Sequence, residues 1–153
     1  MSSEDVQRIL QEDDENKRNI IVRHRGKIES VINNAKCIQK LQKEMNNDNN
    51  SRTNAGADHY HGAFDAFLWS FVNNQPILNM SWNGDLKSAI SQSPESNAMS
   101  KALKNRGFRF VGPTTCYAMM QSIGMVIDHP KDSKEWLSAK ERLESRSFGY
   151  QKR

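Results

Sequence analysis

The sequence predicts a nearly all-α protein. Three observations carry this. Apolar residues recur at helical spacing in several stretches, no stretch alternates polar and apolar with period two, and glycine and proline sit where helices must stop and start. With 153 residues the chain has room for one domain and a modest single core.

Taken in order, Ser2 with Asp5 forms a capping-box pattern, and Val6, Ile9 and Leu10 follow at i, i+3 and i+4, predicting a short helix to residue 12. Residues 11–19 (QEDDENKRN) hold no apolar side chain and read as an exposed, inserted loop. Ile28, Val31, Ile32, Ala35, Ile38 and Leu41 then mark one face of a long amphipathic helix. Arg23, His24, Arg25 and Lys27 crowd its start, where cations oppose the helix dipole. An anionic partner fits there, and so does a solvated loop. His24 has no His or Cys at metal spacing and reads as a surface or capping residue.

Residues 46–62 are Asn- and Gly-rich, predicting a flexible loop. His59 and His61 diverge at i, i+2 and have no third ligand nearby, which argues against a metal. Phe64, Phe67, Leu68 and Phe71 form an aromatic stripe with Trp69 off it, the pattern of a core helix rather than of a base-stacking platform. Residues 73–84 break that pattern, and 86–93 read as a turn. Ser93 with Pro94 and Glu95 starts a helix carrying Met99, Ala102 and Leu103, which Gly107 ends. Gly112 before Pro113 starts the next helix, in which Tyr117, Met120 and Ile123 face the core until Gly124. Phe108, Phe110 and Val111 are the apolar anchors of the turn between them. A last helix takes Asp132 as N-cap and Glu135 at N3, with Trp136, Leu137 and Leu143 apolar, and the tail at 147–153 looks frayed.

Net charge is +4 and unevenly placed: residues 101–153 hold eleven Lys or Arg against five Asp or Glu, a footprint that suits a polyanion as well as plain solvation. Cys37 and Cys116 lie in helical patterns without a CxxC pair, predicting buried thiols in a reducing compartment. The N-terminus lacks the basic and apolar regions of a signal peptide, and no apolar run approaches membrane-spanning length. The chain is therefore expected to be intracellular, cytoplasmic or nuclear, without a membrane partner. The turn at 106–112, flanked by Lys101, Lys104, Arg106 and Arg109, precedes a helix N-terminus whose free N–H groups suit a phosphate oxygen. By local pattern alone it is equally an ordinary helical corner.

Residues 23–36 (RHRGKIESVINNAK), 67–76 (FLWSFVNNQP) and 100–129 (SKALKNRGFRFVGPTTCYAMMQSIGMVIDH) resemble, in this order, the C-terminal half of DNA-3-methyladenine glycosylase I, a family of the helix-hairpin-helix DNA glycosylase superfamily that excises 3-methyladenine from alkylated DNA. The resemblance implies an all-α, helix-hairpin-helix glycosylase-like domain over residues 1–130, lacking the family's N-terminal part and interrupted by the loops 11–19 and 46–62. A C-terminal helix and tail occupy 131–153. It implies double-stranded DNA as partner, base flipping, and a DNA-binding hairpin built from Lys104, Arg106, Gly107, Phe108, Arg109, Gly112, Thr114 and Thr115.

The family's base-pocket glutamate and aromatics, and two ligands of its structural zinc, belong to the part preceding Met1. His129 matches a third zinc position, but Ser133 stands where the family has Cys and is a poor ligand, so no cofactor is expected. Asn74 replaces a family His. Asp128 reads as the cap of the following turn; alternatively, the resemblance to helix-hairpin-helix glycosylases implies a carboxylate that stabilises an oxocarbenium ion or activates water. The expectations are a 3-methyladenine-type glycosylase that is incomplete in this chain and releases little base alone, a non-catalytic DNA-binding remnant, or an unstable fragment without function. Exposed core surface would favour self-association or poor solubility.

Overall fold

The computed structural model describes residues 3–11, 24–47, 62–145 and 151–152. The loops foreseen at 11–19 and 46–62, the His59 and His61 pair, Ser2 and most of the C-terminal tail lie largely or wholly outside these residues. Six helices are described: α1 (Ser3–Gln11), α2 (Arg25–Asn47), α3 (Ala63–Trp69), α4 (Pro94–Asn105), α5 (Pro113–Ser122) and α6 (Lys134–Glu144). A 3-10 turn, Ser70–Val72, extends α3, and Trp69, expected off the core stripe, packs against the core as a partly buried residue.

The helices surround a small parallel sheet that the alternation rule misses. β1 (Ile77–Leu78) lies between β2 (Val126–Ile127) and β3 (Gln151–Lys152), with Ile77 opposite both Val126 and Gln151. Two-residue strands are too short to show a period, and a parallel strand buried on both faces reads as a plain apolar pair. Both β1 residues are buried. Within the tail read as frayed, residues 151–152 are docked: the Gln151 side-chain amide donates to the carbonyls of Val72 at 2.6 Å and Gln75 at 3.2 Å.

The main core joins Leu68, Val72 and Ile77 to Met99 and Leu103 of α4, Phe108 of the following turn, Cys116, Tyr117 and Met120 of α5, and Met125 and Val126. A second cluster places Trp136 and Leu143 of α6 against Leu78. It is pinned by the Trp136 indole N–H, which donates to the Asn79 carbonyl at 2.8 Å. Among the described residues no helix is long and apolar enough to cross a membrane.

Several expected core positions face outward for local reasons. Val31 is 66% exposed because successive turns of α2 serve different neighbours, α1, α3 and the turn after α4, so no single stripe describes it. Cys37 is likewise only half-buried. Ile123 follows the last residue of α5; the chain reverses at Gly124, where φ is +76°, and Met125 takes the core position instead. Leu137, about a quarter-turn from Trp136, misses the face that Trp136 and Leu143 share.

The cap of α6 is Ser133, whose hydroxyl accepts from the Trp136 N–H at 3.2 Å, not Asp132, which is displaced into the left-handed region at φ +65°. Replacing Ser133→Ala is expected to cost about 1 kcal/mol in urea denaturation. Asp132→Gly should be neutral or stabilising, since glycine reaches that φ without strain. The reverse order would return the cap to Asp132.

Candidate nucleic-acid interface

The turn between α4 and α5 is built by chemistry that starts one helix earlier. Ser93 caps α4 in a reciprocal box: its hydroxyl accepts from the Ser96 N–H, and the Ser96 hydroxyl accepts from the Ser93 N–H. α4 ends at Asn105, and Gly107 adopts φ +83°, a region closed to most side chains. Phe108 then dives inward, 7% exposed, and its ring stacks on Phe64 at 6.1 Å and 9°. Phe108 therefore anchors the turn. Phe110, expected to do the same, is instead 51% exposed at φ +56°. A bulky residue in the left-handed region carries strain of about 1–3 kcal/mol.

Neighbouring side chains hold this backbone. The Asn34 carboxamide pairs with both backbone groups of Arg109: its Oδ1 accepts from the Arg109 N–H at 2.9 Å, and its Nδ2 donates to the Arg109 carbonyl at 2.9 Å. Asn33 Nδ2 donates to the Gly107 carbonyl at 2.8 Å, and the Ser100 hydroxyl to the Val111 carbonyl at 2.6 Å. At about 0.5–1.5 kcal/mol each, such bonds suffice to offset the strain at Phe110. The edge of His24 meets the Phe110 ring at 5.9 Å. A methyl group at Gly26 would crowd the His24 ring at 3.2 Å and reach ordinary contact with the Phe110 ring at 3.5 Å. The sequence signal for Asn33 and Asn34 was present in residues 23–36 but was absorbed into the helical pattern.

Lys104, Arg106, Arg109, Thr114 and Thr115 are all exposed around the turn. The Arg106 guanidinium lies 4.6 Å above the Phe67 ring, which holds this cation on the protein surface. Gly112 begins α5 with φ −65° and ψ 161°, an extended conformation open to any residue, and a methyl group there would meet no described atom within 4 Å. No side chain caps α5. Its first turn therefore presents the Thr114 and Thr115 N–H groups beyond proline, together with the positive end of the helix dipole.

Asp128 does not cap the next turn. Its carboxylate accepts from Asn79 Nδ2 at 2.6 Å, from the Tyr117 hydroxyl at 2.6 Å and from Gln121 Nε2 at 3.3 Å, joining α5 to the sheet. Burial, followed by this hydrogen bond, raises the Tyr117 phenol well above its ordinary range. Burial also raises the Cys116 thiol, partly opposed by Lys104, which favours its protonated form. His129 is exposed, while Ser133 spends its hydroxyl on the α6 cap. Among the described residues no group of three His, Cys, Asp or Glu comes together, and these two do not fit the family's zinc.

The methyladenine glycosylase family profile matches residues 1–135. The chain is 43% identical over 112 residues to the DNA-3-methyladenine glycosylase of Haemophilus influenzae, covering 73% of this chain and 51% of the relative. It is 40% identical over 129 residues to DNA-3-methyladenine glycosylase 1 of Escherichia coli, covering 84% and 56%. A crystal structure of a 3-methyladenine DNA glycosylase I superposes with a TM-score of 0.66 at 36% identity, over 88% of this chain and 60% of that one. The chain thus spans about half the length of the curated relatives it matches.

The buried Tyr117 phenol, which also donates to Asp128, has a pH signature. The folded phenol titrates above its unfolded value of about 10, so its contribution is complete below that pH and is lost as pH rises toward the folded value. Tyr117→Phe is expected to be less stable than wild type at neutral pH and to decline less steeply above pH ~10, as read by urea denaturation across pH. Equal slopes would exclude a raised Tyr117 phenol in the folded state.

Proposed function

Because the chain belongs to the methyladenine glycosylase family, we propose that it grips duplex DNA through the hairpin and serves DNA-3-methyladenine glycosylase action, the hydrolysis of the N-glycosidic bond of alkylated adenine in base excision repair. Lys104, Arg106, Arg109, Thr114 and Thr115 form the DNA-facing set, with Gly107 and Phe108 shaping the turn from behind. The observation that carries this reading is Gly112. Its φ does not demand glycine and no described atom crowds it, yet it stands directly before an uncapped helix N-terminus. A missing side chain that the fold itself does not require is explained by the close approach of a phosphate.

In this reading the hairpin holds the backbone of the lesion strand while the damaged nucleotide leaves the stack. N3-alkylation puts positive charge on the adenine and already weakens its bond to the sugar, so less leaving-group activation is needed from the protein. Asp128 supports a second reading, binding without chemistry from these residues. Its carboxylate is engaged by three side-chain donors, which favours a scaffold role over stabilising an oxocarbenium ion.

Duplex binding by the full chain should fall steeply with salt, by about 0.9 in log–log slope per phosphate contact. Gly112→Asp combined with Arg106→Ala should weaken it roughly tenfold or more, the loss of charged hydrogen bonds, at little change in thermal midpoint. Unchanged affinity at low salt would overturn the hairpin assignment. On methylated duplex, chromatographic release of 3-methyladenine supports glycosylase action, and binding without release supports the second reading.

A further inference from the structure

We infer that Asn34 is a positioning residue for DNA binding: its carboxamide sets the conformation of the hairpin tip at residues 109–110. This rests on the proposed DNA reading. The hairpin's own helices reach the turn at Val111, through the Ser100 hydroxyl of α4 and the Cys116 thiol of α5. The Arg109 N–H and carbonyl are instead both met by one side chain from α2, 75 positions earlier, at 2.9 Å each. A carboxamide is the neutral side chain that offers a donor and an acceptor on one fork. Aspartate would keep the acceptor but lose the donor and set a negative charge among the cations of the interface.

The next residue shows what this pairing does. Phe110 is held at φ +56°, where a bulky side chain does not settle unaided, and its ring stays half in solvent. Release Arg109 from Asn34, and Phe110 is free to relax toward negative φ. That rotation would turn the peptide planes leading into Gly112 and α5, and so misalign the N–H groups offered to phosphate. Asn34 touches no phosphate in this scheme. It acts through Arg109, and its own amide groups are spent on that backbone.

The test uses the full chain, measuring amide exchange by NMR and affinity for an undamaged duplex at low salt. Asn34→Ala should speed exchange of the Arg109 amide roughly tenfold, the effect of one lost hydrogen bond, while the Met99 and Met120 amides stay protected and report an intact core. Duplex affinity should fall by a similar factor.

The deciding comparison is with Phe110→Gly, since glycine reaches positive φ without strain. In that background Asn34→Ala should cost several-fold less affinity, because there is no strained residue left to restrain. An equal loss in both backgrounds, or faster Arg109 exchange without loss of affinity, would overturn the role. Failure of the DNA reading would appear separately, as absence of duplex binding by the wild-type chain. The exchange arm would then still decide whether Asn34 sets the tip.

Discussion

A seven-residue turn that cannot satisfy its own backbone sets the terms for much of this structure. Between α4 and α5 the carbonyls of Gly107, Arg109 and Val111 and the N–H of Arg109 lie outside any helix ladder, and each needs a partner. Side chains provide them: Asn33 and Asn34 from α2, Ser100 from α4, and the Cys116 thiol as a weak donor to Val111 at 3.6 Å. α2 thus does more than cover the core. Its third turn supplies Asn33 and Asn34 to the hairpin, and the residue just before the helix, His24, meets the Phe110 ring at the tip.

That arrangement separates the duties of the turn's residues. Phe108 is buried against Phe64 and carries apolar burial of a few kcal/mol. Gly107 supplies a dihedral. Arg109 splits between a backbone consumed by Asn34 and a side chain left in solvent. What remains unspent is the first turn of α5 behind Gly112, where no side chain competes for the N–H groups. Cations surround this point, and dipole and formal charge act in the same direction there.

Much of this was legible in the sequence where a single residue has a strong conformational preference. Gly107 ended α4, Ser93 with Pro94 began it, and Gly112 with Pro113 began α5, because glycine, proline and capping hydroxyls act within one turn of where they stand. The failures share a cause as well. Val31, Ile123 and Leu137 carry apolar side chains at helical spacing, but which of them is buried depends on the neighbour each turn of helix meets, and spacing does not encode that. The sheet escaped notice because two-residue strands show no period. Asn33 and Asn34 escaped because their partners lie more than seventy positions away, and an asparagine in a helix looks the same whether it faces water or a distant carbonyl. Phe110 misled for a simpler reason: hydrophobicity says a ring prefers burial, while the positive φ of the tip turns it out.

The part of the site farthest from the turn bears on it through α5. Tyr117 and Gln121, one turn apart on that helix, both donate to Asp128, and Asp128 accepts in addition from Asn79. Asn79 in turn receives the Trp136 indole on its carbonyl and the Ser81 and Trp82 N–H groups on its side chain. This chain of bonds joins the second half of α5 to the sheet and to α6. A helix fixed at one end by a carboxylate network and at the other by the buried Cys116 and the held turn has little freedom to tilt. The direction in which its N-terminal N–H groups point is then set by the fold before any ligand arrives. Such preorganisation matters most for a phosphate contact, since the entropy of orienting the donors has already been met in folding. The carboxylate that sequence reasoning offered as a catalyst thus has a use that needs no chemistry: it holds the helix whose other end faces the partner.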